Sequence, residues 1–275
     1  MEGPSVLPDE MKYKYWSLSG SEEGFCEESC LCLYPPLDSE SKKEDWASCL
    51  KVFVFWVIVI EVLVHIAACF ASESSVGMFL VPDFNTTLMG FGAFQSEKVF
   101  KKHQYWRLIS TCFLHSDLIH LWSNVFPQIF FCLGLSRRWS WKIIPIYMIP
   151  GILGSAMTSM FKPLTMAGVG ASGNTYGMAG AYSIMIFFFW AKIPSNQVWS
   201  VSAWPIYFLV WYGIYELMPG AGNYTHFFGI IAGILSASVF FAEERFSGTI
   251  AMICKWGSAF LLFLMLLVPI LYHNL

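Results

Sequence analysis

Apolar runs long enough to cross a bilayer recur along this chain of 275 residues, separated by short polar breaks. A spanning helix needs about 20 mostly apolar residues. Runs of that kind lie at about 49–70, 113–135, 141–161, 168–190, 199–218, 224–242 and 249–271. The pattern predicts an all-α polytopic membrane protein: a six-helix unit over 49–242, then a seventh transmembrane helix and short end over 243–275. Residues 1–48 are polar, carry Pro4, Pro8, Pro35 and Pro36 with acidic pairs such as Glu22-Glu23, and read as a flexible tail. Residues 72–106 fit neither class. They are too polar to span and show no obvious helix, yet hold Phe79, Phe84, Phe91, Phe94 and Phe100. We expect a long first loop lying partly in the membrane interface.

Composition strengthens the membrane reading. The chain is 56% hydrophobic, 18% aromatic and 13% charged, about half the charged share of a soluble domain. A net charge of −3 offers no basic face for nucleic acid. Cys26, Cys30 and Cys32 lack zinc-pair spacing and read as free thiols open to acylation near the membrane. The first apolar run begins too far in for a removable signal.

Charge also orients the chain. Lys42, Lys43, Lys51, Arg137, Arg138, Lys142, Lys192 and Arg245 fall on one side of a seven-span arrangement, which is then cytosolic. Lys98, Lys101, Lys102 and Arg107 break the rule, but they sit in the long loop, and long loops obey it weakly. The N-terminus is expected to be cytosolic, in a multi-pass protein of the secretory pathway or plasma membrane. Asn85-Thr86-Thr87 is a glycosylation acceptor, usable if the first loop faces the lumen or exterior.

Some polar residues sit where hydrocarbon should exclude them. Glu61 and His65 are four apart in the first span, on one face, so they pair with each other or face the bundle interior. The second, fourth and sixth spans share an orientation, and each carries polar groups near its non-cytosolic start. These are His120 and Asn124, then Ser172, then His226. Gly173, Gly177 and Gly180 share one face of the fourth helix; Gly229 and Gly233 share the His226 face of the sixth. Docking of two glycine faces allows close backbone approach, which brings His226 toward Ser172. A serine needs a base to take its proton, and histidine is the usual one. No carboxylate is evident at matching depth, so Tyr176, one turn beyond Ser172, is the available surface to hold the imidazole. His120 and Asn124 fit as donors to a developing oxyanion.

At these residues the chain resembles the rhomboid family of intramembrane serine proteases, over about Tyr105 to Gly233. The elements are Trp106-Arg107, the run HSDLIHLWSN from His115 to Asn124, the GASG of Gly170 to Gly173 with Tyr176, and Asn223, His226, Gly229 and Gly233. The resemblance implies a Ser172–His226 dyad, an oxyanion hole of His120, Asn124 and the Ser172 amide, and Tyr176 stacked on His226. It implies a first loop anchored by Trp106 and Arg107, and the 6+1 arrangement of eukaryotic, secretase-like members. Its substrates would be single-span membrane proteins cut near the lumenal end of the transmembrane segment, with no cofactor and no metal. Cys132 and Ser136 depart from the family pattern after the second-helix asparagine, Pro127 is unusual there, and Thr225 replaces a common alanine.

Two other classes compete. A rhomboid-like client-binding protein without activity would be expected to lose Ser172 or His226, and both are kept. A transporter, suggested by Glu61, His65 and Glu216, would be expected to show an internal repeat, and none is found. Sequence does not specify an oligomeric state.

Overall fold

The computed structural model describes residues 53–72, 80–129, 140–190 and 224–275, with a few isolated positions between 199 and 210. The polar tail, its cysteines, Cys132, Ser136, Glu216, Asn223 and nearly all of the predicted fifth span lie outside the described residues. Six long helices organise the rest: α1 (Phe53–Ala71), α2 (Leu118–Gln128), α3 (Ile143–Thr158), α4 (Ser172–Phe189), α5 (Tyr224–Phe241) and α6 (Gly248–Asn274). Among the described residues, α1, α5 with its short extension to Glu244, and α6 are long and apolar enough to cross a membrane, while α3 is a shorter apolar helix. The protein is a mostly helical, multi-pass membrane protein.

Helix α1 buries Val54, Val57, Glu61, His65 and Ala68 at intervals of three and four residues, and exposes Trp56, Ile60, Leu63 and Ile66. That is the single inward stripe a 3.6-residue period produces. Of the two arrangements open to Glu61 and His65, the structure adopts the inward-facing one. Gln128 Nε2 donates to both Glu61 carboxylate oxygens at 3.0 Å, and the Tyr147 hydroxyl lies 3.4 Å from Oε1. His65 instead sits 3.8 Å from Cys69 Sγ. The acid joins α1 to α2 and α3 through polar contacts that hydrocarbon could not supply.

The second helix begins later than its apolar run suggests. Thr111–Phe113 forms a separate 3-10 turn, Leu114 is extended, and α2 starts only after Asp117. The Asp117 side chain accepts from the His120 amide, the bond that fixes a helix start. His115 therefore lies before the helix. At the other end of the chain, α6 runs to Asn274, three residues past its expected end. Its last turn is docked: His273 Nε2 lies 2.9 Å from Ser159 Oγ, the ring stacks on Phe100, and Lys101 Nζ donates to the His273 carbonyl.

The first loop is more regular than expected. It contains wide π-type turns at Phe84–Leu88 and Glu97–Lys101, a helical turn at Met89–Phe91, and Phe94–Gln95 paired antiparallel with Ala167–Gly168. Leu88, Ala93, Val99 and Phe100 are buried beneath it. Arg107 explains much of this order. Its Nη1 donates to the Met89 and Ala93 carbonyls at 2.9 Å each, its Nε donates to Gln104 Oε1 at 2.7 Å, and its guanidinium lies 4.6 Å from the Trp106 ring centre. Burial lowers the Arg107 pKa from its usual value, but a guanidinium remains charged under these conditions. Arg107→Ala leaves buried carbonyls unpaired and should cost about 2–3 kcal/mol, read as a lower thermal midpoint in detergent. Arg107→Lys should not restore it, because an ammonium lacks the planar fork.

The main core lies between α3, α4, α5 and the first turns of α1, with Ile146, Tyr147, Met178, Tyr182, Met185 and Phe241 buried together. The tightest contact is between α4 and α5. A Cβ built on Gly229 would stand 2.6 Å from the Gly173 carbonyl oxygen, and one on Gly233 would overlap that of Gly177. At the same place on α4, Gly177 also meets Pro150 of α3. Pro150 has no N–H to leave unpaired, so it serves as a smooth packing surface.

Candidate active site

Ser172 is the first residue of α4, delivered by a tight turn. Gly170 has φ +131°, a backbone conformation that side-chain-bearing residues rarely adopt. Two bonds tie this turn to the segment before α2: the Gly170 amide donates to the Thr111 carbonyl at 3.0 Å, and the Thr111 hydroxyl donates to the Gly168 carbonyl at 2.9 Å. Together with the Phe94–Gln95 pairing, they hold the serine's approach on both sides. The helix start also turns free amide groups and a positive dipole end toward Ser172.

His226 comes from the first turn of α5 and is buried. Its Nε2 lies 2.8 Å from Ser172 Oγ. Its ring stacks on Tyr176, with centroids 4.1 Å apart and planes 24° apart. The glycine contacts set this distance: α5 lies on α4 with carbonyl oxygens where side chains would be. Thr225, next to the histidine, is part of the same seam. Its methyl faces Gly173, and its hydroxyl lies 2.8 Å from that of Thr158. The Thr158 hydroxyl already donates to the Gly154 carbonyl at 2.7 Å, so Thr225 is the donor of the pair.

His120 approaches from α2. Its Cε1 and Nε2 atoms each lie 2.9 Å from the place a Gly170 Cβ would occupy, and that place is 3.8 Å from Ser172 Oγ. Asn124, one turn along, is buried and donates one amide hydrogen to the His120 carbonyl at 2.8 Å. Its amide group has a second hydrogen. The structure thus brings Ser172, His226, Tyr176 and His120 together at one end of the bundle, and places Asn124 on the adjoining turn of α2.

Several contributors escaped sequence reasoning. Thr111 and Thr158 act through bonds to carbonyls, which leave no mark on hydrophobic periodicity. Asp117 corrects the expectation that no carboxylate lies at this depth: it stands at the head of α2 and touches Ser116, which touches His120. The signal was present, since an aspartate just ahead of a helical run is a cap. Among the described residues no cluster of three or more His, Cys, Asp or Glu suits a metal ion.

Comparison with known proteins matches a Rhomboid domain to residues 102–243, just over half of the chain. RHOMBOID-like protein 4 of Arabidopsis thaliana is 30% identical over 161 residues, covering 58% of this chain and 40% of that protein. Rhomboid-like protease 3 of Toxoplasma gondii is 26% identical over 186 residues, covering 66% of each. Inactive rhomboid protein 2 of Homo sapiens is 28% identical over 140 residues, covering 50% of this chain and 16% of that protein. The chain spans about half the length, or less, of the first curated relatives it matches.

Proposed function

Because this chain belongs to the rhomboid family, we propose that it is an intramembrane serine endopeptidase that cleaves single-span membrane proteins near the lumenal or extracellular end of their transmembrane segment. The observation that carries this reading is the 2.8 Å contact between His226 Nε2 and Ser172 Oγ, made between two helices of a membrane bundle. Ser172 Oγ attacks the scissile carbonyl carbon while its proton passes to His226 Nε2. The carbonyl oxygen, now an oxyanion, is stabilised by His120, Asn124 and the Ser172 amide. Collapse expels the leaving amine, which takes the proton from His226. Water, deprotonated by the same imidazole, then attacks the acyl-serine carbonyl; the bond to Ser172 Oγ breaks, the carboxylic acid product leaves, and Oγ takes back the proton from His226. Tyr176 fixes the plane of the imidazole, the task a carboxylate performs in a triad.

The test is a fluorophosphonate probe, applied with a cleavage assay on a single-span protein in reconstituted membranes. Labelling and cleavage by wild type, with neither in Ser172→Ala, supports the proposal. Client binding without labelling or cleavage favours the alternative, a rhomboid-like binding protein without activity; one relative is named an inactive rhomboid protein.

The same reading places residues 1–48 in the cytosol and the first loop outside it. It assigns 49–242 to the catalytic unit and 243–275 to a seventh helix. Asn85 is exposed on the turn capped by Asp83. Thr86 donates its amide and hydroxyl to the Asp83 carboxylate, which holds that group's pKa below its ordinary value. When the protein is expressed in cells with a secretory pathway, a glycosidase-sensitive gain in mass that disappears in Asn85→Gln is the expected result. No gain in mass at all would count against the proposed orientation.

A further inference from the structure

A hydrogen-bonded chain reaches the site from the head of α2. The Ser116 hydroxyl donates to Asp117 Oδ2 at 2.8 Å, and Ser116 Oγ lies 3.1 Å from His120 Nδ1. Asp117 Oδ1 accepts the His120 backbone N–H at 2.8 Å. One carboxylate thus grips both the backbone and, through Ser116, the ring of the same histidine. The one hydrogen of the Ser116 hydroxyl goes to Asp117, so Ser116 accepts from Nδ1–H. Nε2 then carries the hydrogen that an oxyanion needs when the ring is an imidazolium, the form that the neighbouring Asp117 carboxylate favours.

This contact decides which atom faces the serine. The Cε1 and Nε2 atoms of His120 both border Gly170 at 2.9 Å from its missing Cβ. A half-turn of the imidazole about its Cβ–Cγ bond exchanges those two atoms and also exchanges Nδ1 with Cδ2. The two poses have nearly the same shape and differ only in their hydrogen bonds. His115 does not choose between them. It packs edge-on to the ring, with centroids 5.3 Å apart, and neither of its own nitrogens has a hydrogen-bond partner.

We propose that Ser116 and Asp117 are positioning residues. By holding Nδ1 they keep Nε2, and not Cε1, directed at the place where the oxyanion forms. This rests on the protease reading above and assigns a role to two residues which that reading does not use. Removing an oxyanion donor outright costs about 10²–10³ in rate. A ring free to take both poses keeps the donor part of the time, so the expected loss is smaller.

The experiment compares wild type, Ser116→Ala, Ser116→Thr and Ser123→Ala in reconstituted membranes. Ser123 is an exposed α2 serine that donates to the His120 carbonyl and stands outside the chain. Ser116→Ala should lower kcat about tenfold with KM and thermal midpoint unchanged. Ser116→Thr should recover most of the loss, and Ser123→Ala should match wild type. Nitrogen-15 NMR of histidine-labelled protein supplies a readout independent of turnover: the His120 Nδ1 resonance should move in Ser116→Ala and stay in Ser123→Ala. Wild-type kcat in Ser116→Ala, a loss confined to KM, an equal loss in Ser116→Thr, or an unmoved resonance would overturn the proposal. A resonance that moves in a protein without Ser172-dependent cleavage would support the ring contact and count against the protease reading alone.

Discussion

Ser172→Ala and His226→Ala should each reduce cleavage of a single-span protein at least about a thousandfold, and the double variant should be no slower than either. The non-additivity is as informative as the size. With Nε2 at 2.8 Å from Oγ, serine and histidine form one proton-transfer unit, so losing either half removes the whole. Ser172 is half-buried and His226 buried, which limits how well water can substitute for the missing base. Both variants should keep the wild-type thermal midpoint, because neither side chain fills the glycine seam that joins α4 to α5. Initial rates at saturating substrate, with midpoints measured on the same preparations, give the result. Wild-type rates in both variants would refute the dyad. Additive losses would mean that the two residues act in separate steps.

What could be read from sequence was whatever repeats with a helical period or stands out against hydrocarbon. Ser172, Tyr176 and the glycines at 173, 177 and 180 share one apolar run, and His226 with Gly229 and Gly233 share another. Their spacings alone predicted the face on which the structure joins the helices. Polar groups inside apolar runs were equally visible, though their partners were not. Glu61 was conspicuous, but Gln128, which holds it, is one polar residue at the end of another helix. The start of α2 was misjudged because Phe113 and Leu114 extend the apolar run, whereas a side-chain bond from Asp117 sets the actual boundary. The first loop was opaque for a related reason. Its turns are built on Arg107 bonds to the Met89 and Ala93 carbonyls, and carbonyls are the same in every sequence.

The glycine seam carries the second large effect, on a residue that touches no reacting atom. A methyl group on Gly233 would overlap the Gly177 carbonyl oxygen, and backbone cannot give way as the end of a flexible side chain can. Gly233→Ala must therefore push α5 off α4. Overpacking of this kind costs about 1–3 kcal/mol, a moderate loss for a protein of this size. The cost to catalysis should be larger. His226 lies two helical turns from Gly233 on the same face of α5, so a shift at Gly233 is carried to Nε2 by a rigid helix. A displacement of about 1 Å can cost on the order of a hundredfold in rate, and it would take the 2.8 Å contact out of hydrogen-bond range. Gly257→Ala in α6 is the matched control, since nothing lies within 4 Å of its missing Cβ. There the substitution should leave activity intact and be neutral or slightly stabilising, because alanine is the better helix former. Gly233→Ala should thus lower kcat far more than its few degrees of lost thermal midpoint suggest. A full rate alongside a lowered midpoint would show that the seam holds the bundle together without setting the distance between serine and histidine.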